Sequence, residues 1–196
     1  MEIKTVTPEQ YAEFGRKFEN FNFLNAPEMG AHFQNEGIWN VEYLGGFEKG
    51  ELKAAAMVMT MPLAKIRKYA KIPRGFLADF TNPELLKGFV KALQNHLKSE
   101  GVVYLEMDPY IGLKELDVNG TPVEGGWNNS RLAENLQSAG FEYLPPMPGN
   151  HNAEPVYVSE LDIKDKKMDQ LLKEMDQQTR WSINRSRKMD LTLEPA

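Results

Sequence analysis

Cysteine is missing from all 196 residues, and its absence removes disulfide scaffolding, thiol nucleophiles and every thiolate-built metal site. Histidine is scarce as well. His32, His96 and His151 are the three present, with no His-x-x-x-His or similar spacing, so each reads as a surface or helix-flank residue and no metal centre is expected. No apolar run approaches the roughly 20 residues that a membrane-spanning helix needs. The opening MEIKTVTPEQ mixes acid and polar residues where a secretory leader has a basic start and an apolar stretch, which places the chain in the cytoplasm. Positive charge in excess is also lacking. A formal net charge of −5 excludes wholesale coating of nucleic acid and leaves room for a local basic patch. What remains, 41% hydrophobic and 26% charged residues, suits a globular chain able to bury a sizeable core.

Turn chemistry and hydrophobic period divide the chain. Residues 2–6 alternate as a short strand. Thr7-Pro8-Glu9 then supplies a capping residue, a first-turn proline and an early acid, and Tyr11, Phe14 and Phe18 follow at helical spacing to near Asn20. A second short helix begins near Pro27, carries Met29, His32 and Phe33, and stops at Gly37. IWNVEYLGGFEKGELKAAAMVMTMPL is two strand patterns around a Gly/Glu/Lys turn, which is a β-hairpin. A third strand, Lys68 to Ala78 with a break at Pro73-Arg74-Gly75, leads into a helix capped by Asn82 and ended by Gly101. Its Leu85, Leu86, Phe89, Val90, Leu93 and Leu97 form one apolar face.

VVYLEMD follows as a strand and SRLAENLQSAGF as a helix closed by Gly140. Between them the Gly-rich segment 112–127 has no period, and loops of that length tend to carry function or mobility. A further strand is predicted at 156–161, then a long helix from near Asp165 with the stripe Met168, Leu172, Met175, Thr179 and Ile183. DLTLEPA opens another strand as the chain stops, which reads as truncation. The Pro/Gly/Asn-rich LPPMPGNHNAEP, 144–155, is the linker candidate and separates 1–150 from 151–196. The order of elements predicts an α+β fold with a mixed central β-sheet flanked by helices.

In VVYLEMDPY a mostly buried strand delivers Asp108 to its end, where Pro109 stops strand pairing and Tyr110 follows. Asp108 is either a turn-forming acid before proline or a carboxylate presented to a substrate. A carboxylate within hydrogen-bond reach of an amine can accept or orient its proton. An ordinary aspartate is a weak base near neutrality, so positioning and electrostatics are favoured over proton abstraction. Tyr110 is a rim aromatic or a platform for a sugar or base. Arg74, in the strand break before Gly75, is a solvated charge or a guanidinium facing a phosphate. Arg180, Arg185, Arg187 and Lys188 run without an intervening acid. Arg180, Asn184, Arg187 and Lys188 share one side of a helix, as a solvated face or a phosphate-facing stripe.

RGFLADFTNPELLKGFVKALQ, YLEMDPYIGL, the Gly-rich insert, LAENLQSAGFEY and SELDIKDKKMDQLLKEMDQQTRWSINRSRKMDLTLE follow one another in this order. In these blocks the chain resembles, over nearly its whole length, the FemABX family of aminoacyl-tRNA-dependent transferases that build peptidoglycan interpeptide bridges. The resemblance implies a GNAT-like fold. Family members are longer, with two GNAT-like halves and often an added helical arm. Residues 1–150 would then be a muropeptide-facing half and 151–196 the start of a second, truncated one, and such a fragment would be inactive alone.

The same resemblance puts Asp108 in the cleft that receives a UDP- or lipid-linked muropeptide, as the catalytic candidate, with Tyr110, Gln34 and Arg74 as substrate-binding candidates. Several members carry lysine where this chain has Gln34. A neutral amide forfeits that charge, which points to a lipid-linked acceptor or a different anchoring cation. Aminoacyl-tRNA is the implied partner of the full-length protein, with contacts expected largely from the second half and arm, so Arg180, Arg187 and Lys188 are secondary candidates. A lipid-linked acceptor would bring peripheral membrane contact, and no metal or organic cofactor is implied.

Two other classes share the layout. A stand-alone GNAT N-acetyltransferase would bind acetyl-CoA through an Arg/Gln-x-x-Gly-x-Gly/Ala turn, but RGFLADF lacks its later glycine-type positions, so few backbone N–H groups would converge on a pyrophosphate. Saturable acetyl-CoA binding would favour that class. A noncatalytic binding module of the same fold would be indifferent to Asp108→Asn in the longer protein.

Overall fold

The computed structural model describes residues 1–117, 119–144, 163–189 and 191. Contacts divide the chain into two units, Met1–Met147 and Pro148–Ala196. The first unit is built on strands β1 (Glu2–Thr5), β2 (Asn40–Glu48), β3 (Glu51–Ala64), β4 (Arg67–Ile72) and β5 (Val102–Met107), which lie side by side in chain order. β1 to β4 pair antiparallel, and β4 with β5 parallel. Parallel neighbours cannot be joined by a tight turn, and the helix α3 (Pro83–Ser99) supplies the crossover. The sheet is therefore mixed, and the fold is the expected α+β, GNAT-like arrangement.

β3 shows why the sheet is covered on both sides. Its Ala54, Ala56 and Val58 belong to one core cluster with Leu44, Ile72, Phe76 and Phe89, whereas Ala55, Met57 and Met59 belong to a second with Tyr11, Phe14 and Tyr43. Successive side chains of a strand point to opposite faces, so a continuous apolar run serves two layers. The helices α3 and α4 (Ser130–Ser138) bring Leu86, Phe89, Leu93 and Leu136 to the first cluster. The helices α1 (Pro8–Gly15) and α2 (Pro27–Asn35) lie against β2 and β3, with Tyr11, Phe14 and Phe33 in or against the second.

The local signals act as their chemistry requires. Thr7 and Gln10 form a reciprocal capping box on α1, and Asn82 accepts from the Leu85 N–H at 3.0 Å to open α3. Gly101 exits α3 at φ 84°, where a Cβ would lie 2.8 Å from the Ile66 carbonyl oxygen, so the turn into β5 admits only glycine. Asn20 and Asn25 are buried. The Asn25 amide donates to the Asn20 carbonyl and the Asn20 amide to the Phe76 carbonyl, each at 3.2 Å, tying the loop after α1 to the segment after β4.

Four expectations are corrected or bounded. α1 ends at Gly15 rather than near Asn20. β4 ends at Ile72 and does not reach Ala78; beyond the break, Leu77 makes an isolated bridge to Ala55. The single long helix is two, α5 (Met168–Glu174) and α6 (Gln177–Ser186), because Met175 is extended with ψ 151° and Asp176 caps the second helix through Thr179. The strand expected at 156–161, His151, most of the linker 144–155 and all of DLTLEPA except Leu191 lie outside the described residues. The Gly-rich 112–127 segment is an irregular hairpin with bridges Lys114–Asn128 and Leu116–Pro122, and the Trp127 ring occupies the space where a Gly112 Cβ would stand.

Candidate active site

β4 and β5 run parallel and end in register, Ile72 beside Met107. The residues just beyond, Pro73-Arg74-Gly75 and Asp108-Pro109-Tyr110, therefore leave the sheet at one level and meet. The two loops pack backbone against backbone: a Cβ on Gly75, whose φ is 78°, would lie 3.0 Å from the Pro109 Cα. Arg74 itself has φ 58°, a left-handed conformation that a side chain adopts at a cost of about 1–2 kcal/mol. That turn aims Arg74 at Asp108. The Arg74 N–H donates to Asp108 Oδ1 at 3.3 Å, and the guanidinium Nη1 stands 3.5 Å from Oδ2. The side chains are 17% and 21% exposed, a site partly screened from water yet open to it. The Tyr110 N–H donates to the Arg74 carbonyl at 3.2 Å, and the guanidinium lies 5.5 Å from the Tyr110 ring centroid, within cation–π range.

Three residues singled out in the sequence, Arg74, Asp108 and Tyr110, are thus one cluster. Both oxygens of Asp108 face Arg74, one at its backbone N–H and one at its guanidinium. The arrangement holds charge and geometry at a strand end. Gln34 is elsewhere: its Oε1 accepts from the Val41 N–H at 2.8 Å, stapling α2 to the start of β2, and no contact among the described residues links it to the Arg74 cluster.

Sequence reasoning missed the ring row beside this cluster. β5 places Tyr104 and Glu106 at alternate positions ahead of Asp108, and β4 sets Tyr69 next to Tyr104 and Lys71 next to Glu106. Trp39, Tyr69 and Tyr104 form a row with centroid spacings of 5.9 Å, the last two stacked at 16°. Tyr69 Oη donates to Glu106 Oε2 at 3.0 Å. Partial burial, the Glu106 hydrogen bond and the charges of Glu106 and Asp108 push the Tyr69 phenol well above the ordinary tyrosine range, so it remains a neutral donor. The signal was present as period-two alternation in VYLEMD, but the pairing partner on β4 was not.

In the second unit, Arg180 donates to the Lys173 carbonyl at 3.1 Å and so joins α6 to the end of α5. Arg185 lies over the exposed Trp181 ring at 5.1 Å, and Arg187 and Lys188 are exposed just past the end of α6. Shallow recesses border Gln177, Gln178 and Trp181 in this unit, and Met1, Phe47 and Gly50 at the β1–β2 end of the first. Neither is lined by Arg74, Asp108 or Tyr110. Among the described residues no group of three or more His, Asp or Glu could hold a metal ion, and no helix is long and apolar enough to cross a membrane.

Comparison with known proteins bears on the fold and the family. The crystal structure of FemX superposes with a TM-score of 0.72 at 20% identity, covering 100% of this chain and 46% of that one, a likeness of fold. Aminoacyltransferase FemA of Staphylococcus aureus (strain bovine RF122 / ET3-1) is 31% identical over 179 aligned positions, covering 80% of this chain and 41% of the relative. FemA of strain NCTC 8325 / PS 47 matches to the same extent. The chain thus spans about two-fifths of the length of these curated relatives. The family model described as FemAB matches residues 6–194, and the chain belongs to the FemAB family.

Proposed function

We propose that these residues form the acceptor-facing wall of a peptidoglycan interpeptide-bridge aminoacyltransferase, residues 1–150 as the muropeptide-facing half and 151–196 as the opening of a second GNAT-like half. An amine of a UDP- or lipid-linked muropeptide attacks the ester carbonyl of an aminoacyl-tRNA. The C–N bond forms, the ester C–O bond breaks, the terminal ribose hydroxyl leaves with a proton, and the amine gives up one. The observation that carries this reading is the Arg74–Asp108–Tyr110 cluster at the common end of two parallel strands, in a chain of this family. Asp108 acts there by position and charge, held against Arg74. Arg74 and Tyr110 offer a cation and a ring to the muropeptide, and Gln34, held by Val41, offers no charge. The acetyltransferase alternative loses support at α3, whose first turn is already capped by Asn82 and is preceded by a single glycine.

Aminoacyl-tRNA is the donor, and Arg180, Arg187 and Lys188, all exposed, are the candidate basic groups for it among the described residues. The test is transfer of a radiolabelled aminoacyl group from charged tRNA to UDP-linked and lipid-linked muropeptide by the whole protein. Asp108→Asn should lower kcat/KM by about ten-fold or more, the scale expected for a lost positioning contact. Undiminished transfer by that variant, or saturable acetyl-CoA binding without transfer, would remove the proposal.

A further inference from the structure

Glu106 on β5 and Asp108 just past its end stand two residues apart and keep different company. Asp108 faces a guanidinium. Glu106 faces a phenol, which occupies Oε2 alone and leaves the carboxylate's charge in place. Among the described residues Glu106 forms no ion pair, including with Lys71, its register neighbour on β4. Around it are π-faces. Tyr69 and Tyr104 stack in parallel, Trp39 continues the row, and Tyr104 is 47% exposed at the sheet margin.

A carboxylate bordered by aromatic faces has a definite preference. Ring quadrupoles and an anionic oxygen both attract an organic cation, and both repel phosphate and carboxylate. A neutral sugar gains no charge interaction there. Resting on the transferase reading above, we infer that Glu106, Tyr69 and Tyr104 form the seat of the acceptor's ammonium group, with Glu106 rather than Asp108 as its counter-ion. The seat selects muropeptides whose attacking group is a primary alkylamine. Glu106 contacts the substrate, and Tyr69 is a positioning residue that fixes Glu106 by its hydrogen bond. The bound ammonium gives one proton to solvent before the neutral amine attacks, and the same negative charge then stabilises the positive nitrogen that develops as the amine bonds to the ester carbon.

The experiment titrates the full chain, labelled in its tyrosine rings for NMR, with a lysine-containing stem peptide and with the same peptide carrying norleucine. The lysine peptide should shift Tyr69 and Tyr104 saturably and bind about ten-fold more tightly, as expected for one ammonium contact. Glu106→Gln should erase that preference while Asp108→Asn keeps it, and Tyr69→Phe, which retains the charge but loses the tether, should reduce it in part. Preserved signal dispersion in each variant reports an intact fold. A preference that survives Glu106→Gln, or no preference in the unaltered chain, overturns the inference. Transfer by the whole protein separates the two readings. If transfer proceeds and Glu106→Gln leaves the acceptor KM unchanged, the seat falls and the transferase stands. If lysine is selected through Glu106 but nothing is transferred, the transferase falls and the seat stands.

Discussion

Arg74 couples backbone conformation to charge. Its φ of 58° is one that glycine adopts freely and other residues adopt at a cost, so substitution there changes two terms of opposite sign. Arg74→Ala removes the guanidinium and keeps the backbone cost, whereas Arg74→Gly removes both. Urea unfolding should show Arg74→Gly to be the more stable of the two by about 1 kcal/mol. Equal stabilities would mean that the left-handed turn is not imposed by the packing of Gly75 on Pro109. At this scale Asp108, Tyr110 and Arg74 were legible in the sequence, because each sits beside a proline or glycine that breaks a strand. Tyr69 and Glu106 were not, because their hydrogen bond depends on the register of two strands 37 positions apart in the chain.

Among the elements, α3 was legible from cap to stop because every signal agreed: Asn82, Pro83, one apolar face and Gly101. The C-terminal helix misled because its stripe keeps period across a break. Asp176 explains the break, its Oδ1 accepting from the Thr179 N–H at 3.0 Å and its Oδ2 from the Thr179 hydroxyl at 2.6 Å. Those bonds, the hydroxyl's first, hold the Asp176 carboxyl below the usual aspartate range. A lowered native value means that the cap is fully present above the ordinary aspartate range and is lost as pH falls through the lowered one. Carbon chemical shifts of Thr179 followed from neutral to acid pH should show the first turn of α6 loosening in that window, and Asp176→Ala should loosen it at every pH. A pH-independent first turn in the unaltered chain would contradict the cap.

For the first unit as a whole, stability should centre on the layer between the sheet and α3. Phe89 is fully buried, meets Phe76 edge-on at 5.1 Å and fills the space beside Gly46. Phe89→Ala should cost about 3–5 kcal/mol in urea unfolding, against at most about 0.5 kcal/mol for Lys91→Ala on the exposed side of the same helix. A loss for Phe89→Ala no larger than for Lys91→Ala would show that the layer is not packed as described. The sequence by itself determined the helices' caps and faces, the hairpin, the α+β class and the acid at the end of the fifth strand, because these follow from short-range period and turn chemistry. Only the tertiary structure decided that β5 lies parallel to β4 and ends level with it. That register places Arg74 against Asp108 and Tyr69 against Glu106, and it comes from packing on α3 and the rest of the sheet, which no local pattern encodes.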